Sequence, residues 1–160
     1  MKRMSDNLQR RLDSAGLILP DAKAPIGAYV PYVQTGNLIF ISGQGPVSAS
    51  GVSITGRLGQ ELEIEDGTRA AQMAALNIIA HLNQALSGDF SRLIKIVRLT
   101  GFVNATPEFT HHAAVLNGAS ELMADLFDEK GRHARAAVGV ASLPMNWAVE
   151  IDAIVEIAHD

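Results

Sequence analysis

RAAVGVASLPMNWAVEIDAIVEI, residues Arg135 to Ile157, reads as two strands joined by a turn at Leu143-Pro144-Met145-Asn146. From Val149 to Ile157 the apolar residues Val149, Ile151, Ala153, Val155 and Ile157 alternate with Glu150, Asp152 and Glu156. A period of two marks a strand with one buried face and one face of different character. In Arg135 to Ala141 the same rule places Arg135, Ala137, Gly139 and Ala141 on one face, and Ala136, Val138 and Val140 on the other. With Val138 and Val140 set in the core beside Ile151 and Ala153, Arg135 and Glu150 share the opposite face. A guanidinium fork and a carboxylate on a surface of small residues suit a small anion and a water. The plainer alternative is an ion pair between subunits.

Upstream of this pair, the pattern alternates between strands and helices. Ser5 is placed to cap a short helix to about Ala15, with Gly16 as its stop and Leu8 and Leu12 as its apolar stripe. A Pro-containing connector, Leu17 to Ile26, follows. Gly27 to Val33 reads as an irregular first strand, and Thr35-Gly36-Asn37 as a tight turn. Leu38-Ile39-Phe40-Ile41-Ser42 is a continuous apolar run of the kind buried on both faces. Gly43-Gln44-Gly45 ends it. Position 48 is Ser48 and no helix follows directly, so a phosphate-binding loop is set aside in favour of a strand-end turn.

Glu65 to Ser87 has helical spacing in Ala70, Ala71, Ala74, Ala75, Ile78, Ile79, Leu82 and Leu86, thin enough to lie close against a sheet. Leu93 to Asn104 is the next strand, with Ile94, Ile96, Thr100 and Phe102 alternating against Val97, Leu99 and Val103. Thr106 with Pro107 and Glu108 reads as the start of a second long helix, whose stripe is Val115, Ala119, Leu122, Met123 and Leu126. The result is an α+β fold, one mixed sheet with two long helices on one face. The second sheet face has no cover within the chain, which predicts a homo-oligomer with Arg135 and Glu150 near the subunit boundary.

Bulk properties exclude several classes. The chain has 160 residues, enough for one core, with 48% hydrophobic and 19% charged residues and a net charge of −4. There is no basic footprint for nucleic acid. The absence of cysteine excludes disulfides, thiolate nucleophiles and Cys-based zinc sites. No run approaches the roughly 18 apolar residues of a membrane span, and the N-terminus lacks a secretory core, so the expected location is the cytoplasm. His111, His112 and Glu108 do not make a metal site: adjacent helical residues diverge by about 100°, and the paired-histidine spacing of zinc helices is missing. No metal or other cofactor is expected.

Gly27-Ala28-Tyr29-Val30, Asn37 through Gln44 (NLIFISGQ), Arg98 through Val103 (RLTGFV), and Ala134-Arg135 through Leu143-Pro144 to Val149-Glu150-Ile151 resemble the YjgF/Rid family, also known as the endoribonuclease L-PSP group. The resemblance spans about residues 25–158 and is strongest in the final block. It divides the chain into an N-terminal helix and connector, residues 1–24, and a single family-like domain, residues 25–160. It implies a chorismate-mutase-like α+β fold assembled as a homotrimer with ligand clefts between subunits. The activity it implies is cofactor-free hydrolysis of reactive enamines and imines to 2-keto acids and ammonia, with a small carboxylate-bearing imine, enamine or keto acid as ligand.

Carried over residue by residue, the resemblance makes Arg135 the clamp of the substrate carboxylate. Glu150 positions a water and relays its proton to the departing nitrogen. Tyr29 and Ser42 line the pocket, Gly43 allows close backbone approach, and Asn117 orients the ligand or its water. At Ala137 family members often carry cysteine; here only the backbone is available. Residues 1–24 and the stretch from Phe109 to Leu116 mark a longer form in which the cleft is reshaped. Read without the resemblance, Tyr29 is a strand or interface aromatic, Ser42 a strand-end hydroxyl satisfying backbone, and Asn117 a solvated or backbone-bonded helical residue. Asp152 and Glu156 are polar-face or interface residues. Two functional alternatives stand beside the deaminase: a non-catalytic, carboxylate-binding regulatory trimer, and an endoribonuclease, which the acidic charge disfavours.

Overall fold

Eight elements organise the residues that the computed structural model describes, 5–159. They are α1 (Asp6–Ser14), β1 (Tyr32–Thr35), β2 (Leu38–Gln44), α2 (Ile64–Ala85), β3 (Leu93–Asn104), α3 (His112–Phe127), β4 (Ala134–Val140) and β5 (Val149–Ile157). The strands form one sheet in the order β1-β2-β5-β3-β4. β3 and β4 run parallel, and the other neighbours are antiparallel. Helices α2 and α3 pack side by side on one face, α2 over β2 and β5, α3 over β3 and β4. This is the α+β architecture the spacing predicts, with two long helices on one side. Among the described residues no helix is long and apolar enough to cross a membrane.

The two strand periods behave differently. In β5 the alternation is strict: Val149, Ile151, Ala153, Val155 and Ile157 are buried under the helices, while Glu150, Asp152 and Glu156 look the other way. β3 departs from its sequence reading. Register shifts against β5 put Ile96 in the core with Leu99 and Val103, and leave Ile94 44% exposed. A bulge moves every following side chain to the other face, so a simple alternation across Leu93–Asn104 cannot hold.

Other boundaries are corrected as well. The first strand covers only Tyr32–Thr35. β2 is not buried on both faces: Ile39 and Ile41 are, but Phe40 is 41% exposed on the side without helices. Thr106 does not start a helix. Its N–H donates to Leu58 O (3.0 Å), which extends pairing with the preceding loop, and α3 begins at His112. α2 opens on a capping box, Glu63 N–H donating to Asp66 Oδ2 (2.9 Å). At α1, Ser5 occupies the cap position without a side-chain bond, and Gly16 takes φ +67° where the chain turns away. Leu8 and Leu12 insert into the same core as α2 and α3.

Val33, Phe40, Phe102, Val138 and Ile154 lie on the face opposite the helices, with Arg98, Thr100, Glu150 and Asp152 among them. No element of the described chain covers this face.

Candidate functional site

The registers decide where the two charged candidates sit. Arg135, Ala137 and Gly139 pair with Leu99, Gly101 and Val103, all three buried under the helices. Arg135 therefore points to the helix side, and Val138 and Val140 point to the open face. Glu150 pairs with Phe102 on the open face. The expectation that Arg135 and Glu150 share a face is thus overturned. Small residues, not valines, meet the helices, because α3 lies too close for larger ones. A Cβ on Gly139 would stand 2.5 Å from His112 Nε2, and one on Gly101 would collide with Leu116.

The separation of the pair follows from sheet geometry. Arg135 registers with Leu99, and Leu99 with Ala153, three residues along β5 from Glu150. Two strand spacings across and three residues along put the two Cα atoms roughly 14 Å apart, with side chains on opposite faces. A three-carbon acid cannot touch both within one chain.

Glu150 closes one end of a cavity of about 600 Å³. Its walls come from the connector (Lys23, Ala24, Pro25, Ile26, Tyr29), from the end of β2 (Gly43, Gln44, Gly45, Val47), and from Pro144, Met145 and Trp147 before β5. Gly43 lies directly against the carboxylate, and a Cβ there would be 2.9 Å from Glu150 Cδ and Oε2. This close approach is what the turn glycine supplies. The pKa of Glu150 is raised, first by burial and then by the Asp152 carboxylate. Asp152 is raised too, mainly by burial, against the opposing pull of Thr100 and Arg98. A carboxylate so placed holds its proton more readily than a surface glutamate, which suits a proton-transfer group.

Arg135 occupies a second depression with Asn117, Ser120, Glu121, Ala124, Arg132 and His133. Its Nη1 donates to Asn117 Oδ1 (2.9 Å) and to Ser120 Oγ (3.0 Å), and Nη2 approaches Ala113 O at 3.5 Å. No carboxylate of the described residues pairs with it. The hydrogen bonds behind it form a chain. His133 Nδ1 sits 2.7 Å from Gly131 O, which can only accept, so Nδ1 carries the proton. In the neutral ring Nε2 is then an acceptor for Ser120 Oγ at 2.9 Å, and a lone pair of that oxygen remains for Arg135. The pKa of His133 is lowered, by burial first and by the Arg135 and Lys95 charges further down, against the opposing pull of its hydrogen bond to Gly131 O, a balance that favours the neutral ring.

Of the sequence-derived residues, Tyr29, Gly43 and Glu150 come together in the first cavity, and Arg135 and Asn117 in the second depression. Ser42 joins neither; its hydroxyl donates to Val30 O (2.8 Å) and its N–H to Pro31 O (2.9 Å), tying the connector to β2. Ala137 lies beside Arg135 on the helix face of β4 and packs against the core. Sequence reading missed Trp147, Met145, Ser120 and His133. Ser120 carried a signal, since it lies three residues from Asn117 on one face of α3. Among the described residues no group of three or more His, Asp or Glu side chains converges to hold a metal ion.

A family profile described as "YjgF/chorismate mutase-like, putative endoribonuclease" matches residues 9–157. The chain belongs to this family. The YjgF match includes most of α1 and so begins earlier than the motifs at Gly27. A Trypanosoma cruzi protein named TCP17 is 46% identical over 156 residues, 97% of this chain and 94% of that protein. A crystal structure of an Agrobacterium tumefaciens protein of unknown function is 45% identical and superposes with a TM-score of 0.89, covering 96% of this chain and 95% of the other. A YjgF relative from Dermatophagoides farinae, named 2-iminobutanoate/2-iminopropanoate deaminase, is 30% identical over 139 residues, 86% of this chain and 92% of that protein.

Proposed function

We propose that this YjgF-family chain hydrolyses 2-imino acids and their enamine tautomers to 2-keto acids and ammonia. The working site lies between two copies of a homotrimer, with Arg135 of one subunit facing Glu150 of the next. The observation that carries the reading is the Glu150 carboxylate, set on the uncovered face of the sheet and packed on Gly43 in the lining of a cavity of about 600 Å³. The deaminase name of the Dermatophagoides relative supports the reaction class.

The substrate carboxylate rests on the free edge of the Arg135 guanidinium, which Asn117 and Ser120 hold from behind. Glu150 accepts a proton as a water adds to the imine carbon, giving a carbinolamine. The same proton completes the amine, and Glu150 then carries the hydroxyl proton to the nitrogen as the C–N bond breaks, so that ammonia leaves and the carbonyl forms. An imine carbon is already electrophilic, so orientation and one proton-transfer group suffice. The test is ammonia and keto-acid release from enzymatically generated imines, comparing wild type with Arg135→Ala and Glu150→Ala. Acceleration that vanishes in both variants while assembly persists is expected. Full activity in Glu150→Ala would refute the assigned role.

A further inference from the structure

We infer that the cavity beside Glu150 is a side-chain subsite, and that this chain's preferred ligands are 2-imino and 2-keto acids with bulky apolar side chains, aromatic above all. This rests on the deaminase reading only for the chemistry at Glu150; the subsite itself is a matter of binding.

Size is the first argument. A cavity of about 600 Å³ is in the range that houses drug-sized ligands, far beyond a three-carbon acid. Lining is the second. Pro25, Ile26, Tyr29, Val47, Met145 and Trp147 make the apolar part of the lining, beside the polar Gln44, Ser53 and Asn77. Ile26 is 75% exposed and Met145 55% exposed, apolar side chains held at the rim with no part of the chain over them. Met145 sits in the left-handed region (φ 53°, ψ 23°), a conformation a methionine rarely adopts, within the short turn that leads to Trp147.

Preorganisation is the third argument. The Trp147 ring lies on Gly45 so closely that a Cβ there would be 2.5 Å from its ring atoms. Beneath that glycine, Asn77 of α2 is 6% exposed and donates from Nδ2 to Gly45 O (3.2 Å) and Val47 O (2.8 Å). The indole floor is therefore fixed to a buried helix rather than carried by a loose loop. Residues 23–26 of the connector complete the lining. Charge is the last point. Glu150 is the only acid in the lining and Lys23, exposed at the rim, the only base, so acidic side chains are the one competing class.

The experiment is calorimetric titration of the full chain with pyruvate, the keto acid of leucine, phenylpyruvate and 2-oxoglutarate, stable product analogues that need no turnover. Phenylpyruvate is expected to bind about tenfold to a hundredfold more tightly than pyruvate, with the leucine keto acid between. Trp147 is the only tryptophan, so its emission should change when the leucine keto acid binds. Ile26→Trp, which fills the rim, should erase the preference. Equal affinities, a preference for pyruvate or 2-oxoglutarate, no binding by any of the four, or a preference untouched by Ile26→Trp would each overturn the subsite. Turnover that is flat across imine side chains yet lost in Arg135→Ala would remove the subsite and leave the deaminase. Tight phenylpyruvate binding without turnover of any imine would do the reverse.

Discussion

Gly43→Ala separates the position of the Glu150 carboxylate from the stability of the fold. Gly43 does not have a positive φ, so alanine meets no backbone strain there, and the change narrows the unfolded ensemble by about 0.4–1 kcal/mol in favour of folding. The added Cβ would stand 2.9 Å from Glu150 Cδ and Oε2 and 3.1 Å from Cγ. Carbon atoms at rest lie roughly 3.5–4.0 Å apart, so the carboxylate must retreat by about 0.5–1 Å. It is the far end of a flexible side chain, and the retreat costs little stability. For a group holding a water in line with an imine carbon, a displacement on the order of 1 Å costs up to about a hundredfold. On the proposed mechanism the expected result is a kcat lower by roughly tenfold to a hundredfold, a melting temperature within a few degrees of wild type, and a KM little changed, because the proposed carboxylate clamp, Arg135, is elsewhere. Coupled ammonia release and a thermal melt measure both. Wild-type kcat in a normally folded Gly43→Ala protein would refute the claim that the glycine exists to seat Glu150.

Three further outcomes follow from the same geometry. Ser120→Ala removes the hydroxyl between His133 and Arg135; a hydrogen bond to a charged group is worth about 1.5–3 kcal/mol, so KM should rise by at least tenfold with kcat held within about threefold, and a loss confined to kcat would contradict a positioning role. Leu12→Ala empties a fully buried site where α1 enters the core and should cost about 2–5 kcal/mol in urea unfolding; a cost below about 1 kcal/mol would show that α1 is only loosely docked. His81, 2% exposed with its Nδ1 unpartnered among the described residues, has a pKa lowered by burial. Its unfolded form binds the proton more readily, so its contribution to stability is present above about pH 6.5 and is lost as pH falls toward its lower folded value. His81→Leu should flatten that loss relative to wild type in denaturant titrations between neutral and mildly acid pH; His133, whose pKa is also lowered, adds a slope of the same sign and the raised Glu150 and Asp152 one of opposite sign in both proteins, and parallel profiles would exclude His81 as a source.

Much of the fold was legible because burial imposes a period. β5 alternates without interruption, and the alanine and leucine stripes of α2 and α3 are the buried faces of those helices. What escaped were features set by contacts distant in sequence. The bulges of β3 arise from pairing with β5, and Thr106 is taken from its expected helix by Leu58. The orientation of β4 departs from its hydrophobic pattern for a related reason. Its valines are more hydrophobic than Ala137 and Gly139, so a transfer argument buries them. Yet α3 passes so near β4 that only small side chains fit, and packing distance outranks hydrophobicity there.

The same inversion changes the meaning of the site. Had Arg135 and Glu150 shared a face, a ligand between them would have needed only one chain, and the uncovered sheet surface would have been a separate problem. With the arginine on the helix side of an edge strand and the glutamate on the open face two strands away, any small ligand that needs both must meet them on different copies. Phe40, Val33 and Val138 are left at 41%, 53% and 45% exposure on the open face that also carries Glu150. A partner that covers those residues is also the means by which an arginine can arrive. In the proposed assembly, burial of the open face and completion of the site become one event, so activity should fall with dilution in step with dissociation rather than persist in isolated chains.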